Sequence, residues 1–438
     1  AIGLATLLLV PVPFVQSLGA AGLVVPVVSI IATLTLQPAV LSLLGHRGVQ
    51  PVGVRGLISR RDPLAGMWAK IARGATRRPT AVIVLSLLAL SLAGFSVLWL
   101  ELTPGSLRAI PQRLPATRGL DLVRDRVGPG VVTPIEIVLD TGAPQRANSD
   151  EMAAARLRLA VAITHVPEVA VVAIGSKFPY VSANGRFDQI FVVNRHDFGD
   201  EASQRLVNQL REQLIPAAHL PRGVKAYVGG AAAQGVDFLA AVYGTFPWSV
   251  LVALALAYAV LLRAFRSLVL PLVAVLLDLV SVGVTYGLMV AVFRFGVLSS
   301  VLRTYHVSQI EGWVPVFVFA MLFGLSMDYE VFIVSRMREA RDRGLDTVDA
   351  IAEGLGYTGG VVTAAAVIMV GALSGLVYGH VAGLQELGVG LALGVLVDAT
   401  IVRGLLLPSV MAKLGPWNWW LPARLARYVK VAPSPLTR

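Results

Sequence analysis

Apolar runs of membrane-spanning length recur along this chain, and they decide its architecture before any motif is considered. A hydrocarbon core of about 30 Å is crossed by about 20 apolar residues wound as a helix. Runs of that kind fall at 18–44, 80–100, 247–262, 268–293, 314–335, 359–378 and 387–411, with a partial helix at 2–12. In lipid, each run must satisfy its backbone N–H and C=O groups internally, which predicts α-helices. Of the 438 residues 56 % are hydrophobic and 14 % charged, where a soluble domain carries about 25 % charged residues. That balance excludes a soluble globular enzyme and a disordered chain. The chain has no cysteine, which also excludes disulfides, thiolate chemistry and Cys-ligated metals.

The net charge of +11 has two readings, nucleic-acid binding and membrane topology. Lys and Arg next to spans mark the cytoplasmic side. Between 45 and 79 stand Arg47, Arg55, Arg60, Arg61, Lys70, Arg73, Arg77 and Arg78 against one acid, Asp62. Arg263 and Arg266 follow the next-but-one run, and Arg336, Arg338, Arg341 and Arg343 follow 314–335. The tail carries Lys413, Arg424, Arg427, Lys430 and Arg438 and no acid. Placing all four segments inside puts 101–246 outside by helix parity. That segment is nearly neutral, with 15 basic and 14 acidic residues. Charge and parity agree on every loop, so topology accounts for the basic balance and a nucleic-acid partner is not expected.

Residues 101–246 have the composition of a folded domain. Strand-like runs at 134–139, 169–174, 187–194 and 224–229 alternate with helix-like runs at 116–127, 150–164 and 200–214. This pattern predicts a small α/β domain with helices on one sheet face. Gly229-Gly230, ahead of Asp237, is suited to turning a strand into a helix.

Two spans share their punctuation. Gln16-Ser17-Leu18-Gly19 opens one that runs to Pro38 and Gly45; Gln385-Glu386-Leu387-Gly388 opens another that runs to Pro408 and Gly415. Gly-to-Pro is 19 residues in one and 20 in the other, and Pro-to-Gly is seven in both. A duplication offset by about 370 residues makes 80–411 one whole repeat and 1–45 the tail of an earlier copy. On that reading the chain is a fragment, consistent with Ala1 in first place. The implied organisation is 1–45 the end of a first repeat, 46–79 a basic cytoplasmic linker, 80–100 the first helix of the second repeat, 101–246 the outside domain, 247–411 a five-helix bundle and 412–438 a basic cytoplasmic tail.

Ionisable residues inside spans are costly, an Asp near the bilayer centre by about 2.5–3.5 kcal/mol on the insertion scale. Asp278, Asp328, Glu330, Asp398 and Arg403 qualify. The densest group is Phe323-Gly324-Leu325-Ser326-Met327-Asp328-Tyr329-Glu330-Val331-Phe332. Asp328 shares a helix stripe with Leu325 and Phe332, whereas Glu330 lies about 200° round and faces elsewhere. Gly324 would admit a close neighbouring helix. A buried Asp beside Tyr329 has the chemistry of a proton relay; the alternative is an Asp that pins helix packing. Asp398 and Arg403 either pair with each other or reach neighbouring helices, as a structural ion pair or part of a proton path, and Asp278 is a further candidate. The six histidines show no metal-ligand spacing, and no GxxxxGK[ST], GxSxG elbow or HExxH occurs, so neither a metal, a nucleotide nor a catalytic nucleophile is expected. Ion-gradient transport remains.

The ten-residue motif at 323–332, with Val314-Pro315 before it and Ser335-Arg336 after it, resembles the signature of the mycobacterial membrane protein large (MMPL) transporters of the resistance–nodulation–division (RND) superfamily. Leu387-Gly388-Val389-Gly390, Asp398-Ala399-Thr400, Arg403 and Trp417-Asn418-Trp419-Trp420-Leu421-Pro422 are similar to the same family, as are Gly229-Gly230 and Asp237. The resemblance covers nearly the whole chain. It implies a polytopic α-helical membrane protein with an RND-type bundle and an inserted α/β extracytoplasmic porter domain, this chain being the C-terminal half of a twelve-helix protein. It implies proton-driven export of lipids or other hydrophobic molecules across an actinobacterial plasma membrane, with no cofactor beyond the proton gradient. The relay of the family maps onto Asp328 and Tyr329, whose counterpart pair lies upstream of Ala1, and Leu325 and Phe332 match residues of its central cavity. Asp278 stands where many members have Asn. Expected partners are the hydrophobic substrate, the membrane and the missing N-terminal repeat, with accessory proteins or a second copy left open. The alternatives are a non-transporting lipid- or sterol-sensing protein and an RND-type protein-export accessory.

Overall fold

The computed structural model describes residues 2–44, 66–105, 115–379 and 381–422. Arg47, Arg55, Arg60, Arg61 and Asp62 of the linker, and Arg424, Arg427, Lys430 and Arg438 of the tail, lie outside the described residues. Seven helices among the described residues are long and apolar enough to cross a membrane.

Two N-terminal helices come first, α1 (Ile2–Thr6) and α2 (Pro13–Leu44). A short helix, α3 (Met67–Arg77), precedes α4 (Pro79–Gly94), whose first position is a proline that needs no N–H partner there. After the inserted unit come α8 (Ala231–Phe265), α9 (Val269–Phe293), α10 (Trp313–Asp342), α11 (Thr347–Val377) and α12 (Ala382–Val397). A π-helical segment, Asp398–Leu406, joins α12 to α13 (Leu407–Leu414).

The helices outrun the apolar windows that announce them. The hydropathy window begins at 247, yet α8 is one helix from Ala231. Its 35 residues extend roughly 50 Å at about 1.5 Å per residue, well beyond the hydrocarbon core. Likewise α11 starts at Thr347, capped by the Asp346 side chain accepting the Asp349 N–H, before its apolar stretch at 359.

Between lipid-facing helices there is little hydrophobic driving force, so close backbone approach and polar contacts matter. Where α4 crosses α9, a Cβ on Gly287 would run into the Gly94 carbonyl, and Ser96 Oγ donates to the Gly287 carbonyl at 2.6 Å. The bundle core is built on Phe265, Phe293 and Phe323, each at most 1 % exposed. By contrast α2 is largely uncovered, with Val24, Ile30 and Leu34 exposed.

The inserted unit lies between α4 and α8. Its helices α5 (Pro115–Arg126), α6 (Asp150–Thr164) and α7 (Glu201–Gln209) accompany strands β2 (Ile135–Asp140), β3 (Val169–Ala173), β4 (Phe187–Asn194) and β5 (Lys225–Gly229). The sheet order is β3-β4-β2-β5, antiparallel throughout. Strict alternation along β2 turns Ile135, Ile137 and Leu139 to one face, where Met152, Leu159 and Ile163 of α6 and Leu206 and Val207 of α7 cover them. The predicted strands and helices fall within about two residues of these elements, the scatter expected of element ends, except 200–214, where α7 ends at Gln209 and a π-helical turn carries on to Leu214. Gly230 does turn β5 into α8: its φ is +88°, and a Cβ there would sit 2.5 Å from the Pro134 carbonyl oxygen.

A separate two-stranded sheet fastens this unit to the bundle. β1 (Leu102–Thr103) pairs in parallel with β6 (Ile310–Glu311), immediately before α10. Ile310 N–H donates to the Glu101 carbonyl at 2.9 Å and Gly312 N–H to the Thr103 carbonyl at 2.8 Å. Thr103 Oγ1 donates in turn to Gly199 in the α/β unit, and Tyr243 OH on α8 to the Gly312 carbonyl.

Candidate functional site: a buried ion cluster in the helix bundle

Five polar side chains from three helical segments meet in the bundle core. α9 supplies Asp278, α10 supplies Ser326 and Glu330, and the π-helical segment supplies Asp398 and Arg403. Ser326 and Glu330 are four residues apart and share a face of α10. Asp398 and Arg403 are five apart, a spacing that would splay them round an α-helix. The i→i+5 winding of a π-helix stacks them on one side instead, closed by Leu407 N–H donating to the Val402 carbonyl.

The guanidinium is the hub, 1 % exposed, and offers one nitrogen to each carboxyl group. Arg403 Nη2 donates to Asp278 Oδ1 at 2.7 Å, Nη1 lies 2.9 Å from Glu330 Oε2, and Nε lies 3.3 Å from Asp398 Oδ1. The last two contacts are close but poorly aligned as hydrogen bonds. Nη2 also donates to Ser326 Oγ at 2.6 Å and to its carbonyl at 3.0 Å. Ser326 Oγ sits 2.7 Å from Asp278 Oδ1 and 2.8 Å from Asp398 Oδ2, and its one hydrogen can serve either. Asp278 Oδ2 has no partner among the described residues. Three carboxyl groups therefore share one cation in a site shielded from water. Ionised together they would leave two uncompensated negative charges, a state that a dry interior strongly opposes.

Asp328 and Tyr329 occupy other faces of α10. Asp328 is exposed and belongs to the lining of a cavity of about 400 Å³. Leu4, Gly22 and Pro26 form its wall from α1 and α2, and Met321, Gly324 and Leu325 from α10; among its lining residues Asp328 alone is ionisable. Tyr329 is half-buried and turns its hydroxyl to Met369 Sδ on α11. The adjacent pair thus diverges, about 100° apart round the helix. Leu325 lines the cavity; Phe332, one turn beyond Asp328, lies outside its lining and is 39 % exposed. Among the described residues a Cβ at Gly324 would meet nothing within 4 Å, and the residue lines the cavity.

The expected candidates Asp278, Glu330, Asp398 and Arg403 are all brought together, Asp398 and Arg403 pairing both with each other and with α9 and α10. Ser326, which bridges them, carries no sequence signal beyond its place in the ten-residue motif. Glu386, at the opening of the second matched span, is fully buried. Its signal was available, an acid in the first turn of an apolar run. Among the described residues no group of three or more His, Asp or Glu side chains is placed to hold a metal ion.

Comparison with known proteins agrees with this architecture. The MMPL family profile matches residues 1–82 and 110–436. A putative membrane protein of Streptomyces coelicolor is 33 % identical over 98 % of this chain and 56 % of its own length. The mycolic acid-containing lipids exporter MmpL11 of Mycolicibacterium smegmatis is 28 % identical over 94 % of this chain and 43 % of its own. This chain thus spans about half the length of the curated relatives it matches. The crystal structure of SecDF in its super-membrane-facing form superposes with a TM-score of 0.50 at 14 % identity, covering 94 % of this chain and 46 % of that one, a likeness of fold alone. The curated relatives include proteins named as exporters or transport proteins. With its profile matched along most of its length and its bundle carrying the inserted α/β unit, the chain belongs to the MMPL family.

Proposed function

We propose that this chain works as the C-terminal half of an exporter of lipids or other hydrophobic molecules, driven by the proton-motive force across a bacterial plasma membrane. The observation that carries the reading is the charge count of the buried cluster, three carboxyl groups against one guanidinium. A set of that composition is neutral only with protons bound, so it can take protons up and release them as the helices shift. The exporter name of the mycobacterial relative supports the direction and substrate class.

In this reading residues 101–246 form an extracytoplasmic porter domain and the C-terminus is cytoplasmic, following the distribution of Lys and Arg. Asp328 offers a second protonatable group at the cavity beside α2, where a preceding repeat would face it, with Tyr329 as its neighbour in the relay. Proton binding biases one arrangement of the helices over another. The β1–β6 joint passes that shift to the porter domain, through which the substrate leaves. An imposed pH gradient across proteoliposomes holding the full-length protein is expected to drive movement of a fluorescent lipid, and an ionophore that collapses the gradient is expected to stop it. Lipid movement unaffected by the ionophore would refute proton coupling. Lipid binding without any movement would favour a sensor.

A further inference from the structure

A further acidic pair, Glu386 buried and Glu311 half-buried, lies towards the other end of α12, and the cluster just described makes no use of it. Glu386 is in the first turns of α12, twelve residues before Asp398, or about 18 Å along the helix. It is 0 % exposed. Its Oε2 accepts the backbone N–H of Glu311 at 2.9 Å, while its Oε1 has no partner among the described residues. The Glu311 carboxyl returns the contact: it takes the Gly383 N–H on α12, and its Oε2 accepts Trp313 Nε1 at 2.6 Å. A Cβ at Gly383 would run into that carboxyl, so glycine is what allows the two elements to close.

Among the described residues no cation compensates the pair. The charged group facing Glu386 is Glu311 of β6. On the α11 side Gln385 donates to the Val377 and Gly379 carbonyls and accepts the Tyr305 N–H, all neutral groups. At the end of α9, Arg294 is engaged by Glu101 and the Trp99 carbonyl. From α10 comes the neutral Trp313 indole. Burial pushes the Glu311 carboxyl up from its usual range. An ionised, unpaired and fully buried carboxylate is a strongly disfavoured state, whereas a proton on the orphaned Oε1 removes the charge and leaves the Oε2 hydrogen bond in place.

We propose that Glu386 is a proton-binding site at the junction of the α/β unit with the bundle, and that release of its proton to water loosens the β1–β6 joint from α12. The joint is placed to respond. β6 is held on one side by Glu386 and on the other by β1, whose Thr103 is tied to Gly199 in the α/β unit. Ionised Glu386 would face Glu311 with no counter-ion among the described residues and would draw water into the contact. In the matched N-terminal span, Ser17 stands at the corresponding place and its hydroxyl merely donates to the Phe14 carbonyl, so the titratable group belongs to one of the two matched positions.

The proposal extends the proton-driven reading but is tested without transport. The full-length protein in nanodiscs would be followed by infrared difference spectroscopy of the protonated-carboxyl stretch as pH is raised, with hydrogen exchange of the Ile310 and Gly312 amides as a second readout. The wild type is expected to lose a carboxyl band on deprotonation. Beyond the intrinsic pH effect on exchange, its joint amides should open about tenfold more often afterwards. Glu386→Gln should lack both the band and the pH-dependent opening, Glu386→Asp should restore them, and Asp328→Asn should leave them in place. Identical spectra and exchange profiles in wild type and Glu386→Gln would overturn the proposal. So would a wild type with no titrating band, even if Glu386→Gln failed to fold. Loss of proton-driven transport with the Glu386 band intact would count against the transport reading alone.

Discussion

Replacing Arg403 with leucine is expected to prevent assembly of a stable bundle. The guanidinium contacts Asp278, Glu330 and Asp398 at once, and all four residues are at most 2 % exposed. Removing one partner of a buried ion pair destabilises by about 3–5 kcal/mol, because the other charge is left without compensation. Here the one carboxylate that balances the guanidinium loses its counter-ion and the two protonated carboxyl groups lose their polar partner, against a total stability of about 5–15 kcal/mol for a typical domain. Arg403→Lys should rescue poorly, since an ammonium is a point charge and cannot present a separate nitrogen to each carboxyl in a fixed fork. Neutralising the set should recover the fold: Arg403→Leu combined with Asp278→Asn, Glu330→Gln and Asp398→Asn removes the charges along with the counter-ion. The yield of monodisperse protein in detergent, and its thermal midpoint, would check the series. Full stability of Arg403→Leu alone would show that the cluster does not hold the helices together. The neutralised combination should fold and yet move no substrate, which separates the packing role of the cluster from its proton-binding role.

Asp328→Asn is expected to reduce proton-driven transport to background while leaving expression and thermal stability unchanged. The asparagine is isosteric and polar but takes no proton at neutral pH. Asp328 is exposed to the cavity, and among the described residues it has no ion pair, so its replacement should alter stability by no more than about 0.5 kcal/mol. This contrasts with Arg403, where fold and function should fail together. Tyr329→Phe should have a smaller effect, because the hydroxyl turns to Met369 rather than to Asp328.

The helices and the inserted sheet were legible because each depends on local pattern. Apolar runs mark the spans, and alternation along 135–140 marks a half-covered strand. Helix ends were less legible, since hydropathy sees lipid contact and not hydrogen bonding; α8 and α11 continue for several turns through polar sequence. The members of the ion cluster were recognisable one at a time, as charges where lipid should be. Their convergence was not, because it depends on three helical segments packing at one depth and on a π-helical winding that no residue type announces. The five-residue spacing of Asp398 and Arg403 argues against a shared face until that winding is known. The divergence of Asp328 from Glu330 was legible from helix geometry alone. The roles of Ser326 as bridge and of Glu386 as a buried orphan came from tertiary contacts between distant segments.

The central claim is that transport is coupled to proton movement through carboxyl groups in this bundle. Its most direct test is proton flux itself, read by a pH-sensitive dye trapped in proteoliposomes holding the full-length protein, when a hydrophobic substrate is supplied without an imposed gradient. The account predicts substrate-dependent proton movement in the wild type and none in Asp328→Asn. Substrate movement without proton movement in the wild type, or equal proton movement in the variant, would contradict it.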